Sequence, residues 1–181
     1  NREGLMADEK AVQCYSLAKN IERIDCALHD LKLSVMPGKE MRSVNGVGMS
    51  LYSLQLEAKS TANAMPEMKD VANRLSRRAK EFHAIATDLS SRPIPKKVAE
   101  FMREDLSLLW DHQRALLHAS EKKCLGREYA VPEPPKEKFR PIPTEVRKAV
   151  ADVKKQKEAA IAKRNKQYER EMSKLRRKRK K

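Results

Sequence analysis

Apolar residues in the first part of this chain recur at alternating steps of three and four. They are Cys14, Leu17, Ile21, Ile24, Leu28, Leu31 and Val35. This spacing draws one apolar stripe along a helix, and helices that carry such stripes pack against each other. Met36-Pro37-Gly38 ends the run, because proline cannot continue the hydrogen-bond ladder and glycine suits the turn. The sequence therefore predicts a packed helix over about residues 8–36.

The same alternation continues through a longer second segment, with Pro66 inside it. The stripe consists of Val44, Val47, Leu51, Leu54, Ala58, Thr61, Met65, Met68, Ala72, Leu75, Ala79, Phe82, Ala86 and Leu89. A loop at Pro66 normally resets the register, yet the stripe stays in phase. We therefore expect one helix over about residues 44–90, kinked at Pro66 and about 70 Å long, in preference to two separate helices.

A third helix is predicted over about residues 96–124, after the break Ser91-Arg92-Pro93-Ile94-Pro95. Its apolar stripe is wider, and Gly126 is a suitable C-terminal cap. We expect the first helix to fold back on the first half of the second, and the third on its second half. Aromatic residues make up only 4% of the chain, which suits narrow helical seams. The predicted fold class is all-α, with residues 1–127 forming an elongated antiparallel helical bundle with coiled-coil seams.

The chain changes character after this bundle. Residues 128–143 contain five prolines and predict an extended, semi-rigid linker. Residues 144–181 predict a basic C-terminal helix and tail, with Thr144 as N-cap. Its apolar positions fade after Val153, and from Lys154 onward it is expected to be polar all round. We therefore expect the chain beyond Pro135 to add little to the core, so that residues 1–135 fold without it.

Positive charge is concentrated in that last segment. Residues 136–181 contain 19 Lys and Arg against 6 Asp and Glu, so they carry most of the chain's net charge of +15. Such an excess indicates a polyanionic partner. The predicted nucleic-acid-binding residues surround the helix and could contact phosphates on several sides. They are Lys154, Lys155, Lys157, Lys163, Arg164, Lys166, Arg170, Lys174, Arg176, Arg177, Lys178, Arg179, Lys180 and Lys181.

The pattern favours a structural component of a large ribonucleoprotein particle, such as the ribosome of mitochondria. The chain beyond Pro135 would bind rRNA, and the bundle would dock on neighbouring proteins. A nucleolar ribosome-assembly factor would use the terminal KLRRKRKK equally well. A coiled-coil adaptor whose basic tail binds a microtubule or an anionic membrane is the alternative of a different class. The chain starts at Asn1 and not at Met, so it follows either a cleaved presequence or further residues of a longer chain. The first interpretation favours the mitochondrial matrix, with nucleus, nucleolus or cytoplasm as alternatives.

The sequence offers no catalytic motif, cofactor motif or membrane-spanning run, so we expect no enzyme and no small-molecule substrate. The four histidines lie apart on three predicted helices and are expected to be surface or partly packed, without metal. Asp105 and Asp111 are expected to be surface charges. Cys14, Cys26 and Cys124 form no CxxC pair, which suits free thiols in a reducing compartment, with Cys14 as a small core residue.

Overall fold

A computed structural model describes residues 2–37, 44–89, 92–127 and 133–178. These residues form helices and no strands, so the predicted all-α class is confirmed. The helices are α1 (Arg2–Ser34), α2 (Val44–Ala64), α3 (Lys69–Leu89), α4 (Lys96–Glu104), α5 (Leu106–Leu125) and α6 (Thr144–Lys178). A short 3₁₀ turn, Pro66–Met68, joins α2 to α3.

The first two helices pack as an antiparallel pair along the predicted apolar seam. Leu28 on α1 and Leu54 on α2 are fully buried. Polar contacts border the seam: Ser50 donates a hydrogen bond of 2.6 Å to Asp30, and an ion pair of 3.0 Å joins Arg23 to Glu57. As the residue number rises on one helix, that of its partner falls, which fixes the antiparallel direction.

The chain folds back at Pro66, so the prediction of one continuous helix over residues 44–90 is wrong. Helix α2 ends at Ala64, and α3 returns along it with a hydrogen bond of 3.0 Å from Ser76 to the carbonyl of Gln55. Proline removes one backbone donor and favours the start of a new helical segment. The seam stays in phase because Met65 and Met68, on either side of the turn, both point into the core. Unbroken register was therefore no sign of an unbroken helix.

The predicted helix over residues 96–124 is divided at Asp105 into α4 and α5. Helix α5 packs on α1 as well as on α3. The ring of Trp110 lies 4.8 Å from that of His29, centre to centre, in an edge-on arrangement.

A disulfide joins Cys14 on α1 to Cys124 on α5, with the two Cα atoms 5.7 Å apart. The expectation that all three cysteines are free thiols, with Cys14 a simple core residue, is therefore wrong. The remaining cysteine, Cys26, is free and exposed. Sequence spacing missed the pair because its two members are separated by 110 positions and meet only after folding.

The segment before α6 packs on the body, here meaning helices α1–α5. Phe139 and Ile142 are partly buried against the core, and Val146 and Val150 of α6 are buried. Lys97 of α4 forms an ion pair of 3.1 Å with Glu145. The expectation that the chain beyond Pro135 adds little to the core is therefore wrong.

Helix α6 runs in the same direction as α3. Arg78, near the middle of α3, bonds the carbonyl of Arg140 just before α6, and Asp88, near the end of α3, lies 3.4 Å from Lys154. Helix α3 ends at Leu89, whereas α6 continues to Lys178. The part of α6 from Lys154 onward, called the arm below, therefore continues past the body.

Candidate nucleic-acid interface

The predicted RNA-binding residues lie along the exposed arm. Ten of them, from Lys154 to Arg177, are described with their side chains, and all are exposed except Lys157, which is half-buried. The side chain of Lys178 and residues 179–181 lie outside the described part of the chain. Lys154 pairs with Asp88, whereas none of the other nine has a carboxylate of the described residues within ion-pairing distance. The arm thus presents free positive charge to solvent.

Because α6 is uninterrupted, its turn of 100° per residue places these charges on definite faces. Five of them recur at steps of three or four and form one stripe, called the basic stripe below: Lys163, Lys166, Arg170, Lys174 and Arg177. Arg164 and Arg176 lie about 100° or more from its centre. The charges were expected to surround the helix, but five of the ten described cations lie on one face.

Apolar side chains occupy the opposite face of the arm. Ile161, Tyr168 and Leu175 are spaced seven residues apart and are 44%, 63% and 55% exposed. Met172 shares their face and is half-buried. The expectation that α6 is polar all round beyond Lys154 is therefore wrong. The seven-residue spacing of these large residues is present in the sequence, but the many charged residues between them obscure it.

A buried cluster of charges and rings holds the base of α6 on the body. Arg78 on α3 is 1% exposed, and its Nε lies 3.0 Å from Oδ2 of Asp105, which is 5% exposed. The N–H does not point at that oxygen, so the pair is held by charge and not by an aligned hydrogen bond. Arg78 also donates to Glu81 at 2.8 Å and to the carbonyl of Arg140. The guanidinium thereby ties α3 to the segment that leads into α6.

Aromatic rings surround this guanidinium. The Cζ atom of Arg78 lies 5.1 Å from the ring centre of Phe139 and 5.5 Å from those of Phe82 and Phe101. Such cation–ring contacts are stronger where water is excluded. Phe139 also stacks on His112 of α5, with centres 4.8 Å apart. The single ring of Phe139 therefore connects the linker to both α3 and α5.

Burial shifts the pKa values of two groups in this cluster. Desolvation raises the pKa of Asp105 above its ordinary 3.8, against the opposing effects of Arg78 and Arg140. Desolvation lowers the pKa of His112 below 6.5, while its Nδ1, 2.7 Å from the carbonyl of Leu108, acts in the opposite direction. The expectations that Asp105 is a surface charge and that His112 is at most partly packed are both wrong. Asp111, in contrast, is half exposed and pairs with Arg114 at 2.8 Å.

Residues 2–37, 44–89, 92–127 and 133–178 hold no group of three or more His, Cys, Asp or Glu suited to a metal ion. Nor does any helix in these ranges have the length and apolar character needed to cross a membrane.

The chain was also compared with known proteins. No protein-family model, no curated protein and no solved structure matches it.

Proposed function

We propose that this protein is a non-catalytic structural component of a large ribonucleoprotein particle, with a mitochondrial ribosome as the leading candidate. The arm lies on RNA with its basic stripe, and the body contacts neighbouring proteins. The observation that carries the proposal is the basic stripe itself: five exposed cations on one face of a continuous helix whose base is fixed to the body.

The chemistry of the stripe favours phosphates over bases. Lys and Arg neutralise phosphates and release condensed counterions, which supplies affinity without reading sequence. Base stacking needs exposed aromatic rings, and Tyr168 is the one aromatic residue of the arm. Tyr168 lies on the face opposite the basic stripe. Binding through this helix is therefore expected to depend on salt and to tolerate changes in RNA sequence.

The apolar face of the arm suits a protein neighbour. Ile161, Tyr168 and Leu175 form a narrow stripe of heptad spacing, which resembles a helix-packing seam. A helix with RNA on one face and a protein on the other would lie at a boundary between the two within a particle.

The experiment compares two charge-matched double variants of the full chain. Arg170→Gln/Arg177→Gln removes two cations of the basic stripe, and Arg164→Gln/Arg176→Gln removes two arginines outside it. With single-stranded RNA, we expect the first variant to lower the slope of log affinity against log salt by about 0.7 for each phosphate that it no longer neutralises, and the second to lower it less. Fluorescence anisotropy with two unrelated RNAs measures both slopes. Unchanged RNA affinity in both variants would contradict the proposal.

A basic tether on an anionic membrane is the second candidate, favoured by the apolar stripe opposite the basic one. Surface-binding helices place a broad face rich in Trp, Phe or Leu in the lipid headgroup region. Here the face is narrow, with Leu175 as its one leucine and neither Trp nor Phe. Co-sedimentation with vesicles of phosphatidylserine and phosphatidylcholine tests it: binding that is abolished in Leu175→Asp, together with weak RNA binding, would favour the membrane.

A further inference from the structure

A cleft of about 380 Å³ lies between α3, the segment 138–142 and the first turn of α6. Its lining contains six cationic side chains and one carboxylate, that of Glu81. The cations are Arg74, Arg77, Arg78, Lys138, Arg140 and Arg147. None of these six belongs to the predicted RNA-binding set, and the basic stripe does not include them.

Two of the six cations are neutralised within the protein. Arg78 is paired with Asp105 and with Glu81. Arg140 is paired with Glu104 and lies 3.7 Å from Asp105. The single acid of the cleft is therefore already engaged with one arginine.

The other four cations remain without a counter-charge. No carboxylate among the described residues lies within ion-pairing distance of Arg74, Arg77, Lys138 or Arg147. Like charges that converge on one concave surface repel each other and focus a positive potential there. An anion in the cleft would relieve that repulsion.

Arg74 gives the cleft a fixed donor. Its Nη2 donates a hydrogen bond of 2.7 Å to the carbonyl of Pro135, which holds the guanidinium in place. Its Nε is buried and has no hydrogen-bond partner within the described ranges. Buried N–H groups of folded proteins are nearly always bonded, so this guanidinium, whose side chain lines the cleft, has an unused donor.

We propose that this cleft binds a phosphate group, and that in the particle the group belongs to the backbone of the RNA contacted by the arm. This second clause rests on the proposed function. The three arginines without a counter-charge, Arg74, Arg77 and Arg147, suit phosphate. A planar guanidinium can donate two parallel hydrogen bonds to neighbouring phosphate oxygens. Phe139 lines the cleft but is already stacked on His112, so the site recognises the phosphate and not a base.

The proposal predicts that RNA extends from the arm onto the body. A phosphate in the cleft would be held by α3, the linker and α6 at once, since each contributes a cation. The phosphate would therefore hold the base of the arm on the body from the solvent side, as Arg78 does from the core side.

The test uses Arg77→Gln/Arg147→Gln in the full chain. Both residues are exposed and form no ion pair in the described structure, so the fold is expected to persist. Lys10→Gln/Lys59→Gln is the matched control, with the same charge loss at exposed positions of α1 and α2. Anisotropy with a 20-nucleotide single-stranded RNA gives the salt slope, and calorimetry with inorganic pyrophosphate measures binding of a free phosphate. Polyglutamate serves as a competitor without phosphate.

We expect the cleft variant to lower the salt slope by about 0.7, as for one single-strand phosphate that is no longer neutralised, whereas the control leaves it unchanged. A slope equal to that of the control, together with no pyrophosphate binding by the wild type, would overturn the proposal. Pyrophosphate binding that is abolished in the cleft variant while RNA slopes stay equal would assign the cleft to a free phosphate. If polyglutamate competes with RNA as strongly as pyrophosphate does for the wild type, and not for the cleft variant, the phosphate proposal is overturned in favour of an acidic protein partner.

The arm variant separates this proposal from the proposed function. If Arg170→Gln/Arg177→Gln weakens RNA binding and the cleft variant does not, the cleft proposal fails alone. If RNA does not bind the full chain at all, the proposed function fails, and pyrophosphate binding decides whether the cleft is a phosphate site.

Discussion

In the body, side chains spaced by three and four are apolar and buried, whereas in the arm the same spacing leaves two stripes exposed. Leu28, Leu54 and Leu75 are fully covered by neighbouring helices. Ile161 and Leu175 have no such cover and lie opposite a row of cations. Helical periodicity therefore fixes which side chains share a face, but only the rest of the chain decides whether that face is covered.

The largest effect is expected where this comparison is most direct, at a leucine in each region. Leu54→Asp places an unpaired charge in the core, where its desolvation costs several kcal/mol, comparable with the total stability of a domain. Leu175→Asp makes the same change at a 55% exposed site and should leave the melting temperature unchanged. Circular dichroism melting curves measure both variants. Equal melting temperatures would show that α2 does not belong to a packed core.

The next effect concerns the joint between body and arm. Arg78→Met leaves Asp105 buried without its main partner and should lower the free energy of unfolding by about 3–5 kcal/mol. Arg77→Met, at the exposed neighbouring position, is the control and should change it little. Urea denaturation followed by circular dichroism measures both. If the two variants unfold at the same urea concentration, Arg78 does not hold the cluster together.

A smaller effect is expected from the disulfide. Cys14→Ser removes a cross-link between residues 110 apart, which should lower the free energy of unfolding by about 2–4 kcal/mol under oxidising conditions. Cys26→Ser removes the free thiol and should have no such effect. Thermal melting with and without reductant separates the two variants. A wild-type melting temperature that is insensitive to reductant, with Cys14 alkylated in the native protein, would rule out the cross-link.

The smallest effect is a dependence of stability on pH. Because the pKa of His112 is lowered in the folded protein, the unfolded chain takes up a proton below about pH 6.5 that the folded chain does not. Stability should therefore fall as the pH decreases below 6.5, by at most about 1.4 kcal/mol per pH unit, until the folded pKa is reached. His112→Phe keeps a ring against Phe139 and should remove this contribution. Urea denaturation at several pH values measures it; identical pH profiles would contradict it.

The sequence predicted which side chains are buried better than it predicted how the chain turns. The stripe from Val47 to Leu89 is buried, although it belongs to two helices joined at Pro66. Local spacing does not encode whether Pro66 kinks a helix or reverses it, because both outcomes keep the stripe in phase. The reversal is settled by long-range packing, here the burial of α2 and α3 against each other.

The elements of the candidate site were predicted unevenly for the same reason. The exposed cations of the arm follow from composition, since a run of like charges has no core to join. The cluster around Arg78 and Asp105 cannot be predicted from composition, because its members come from α3, the end of α4 and the linker. A buried charge is indistinguishable in sequence from a surface one until its partner is known.

The fixed base of α6 determines how accurately its far end can be placed. About 24 residues lie beyond Lys154, so the arm extends about 36 Å from the last ion pair with the body. A tilt of 10° at that base would displace the tip by about 6 Å, which exceeds the rise of about 3.4 Å between phosphates along one strand of duplex DNA, the scale on which a nucleic-acid backbone presents its charges. A loose joint would let the basic stripe shift by one or two phosphates, whereas a stiff joint would hold the stripe at a set distance from the body.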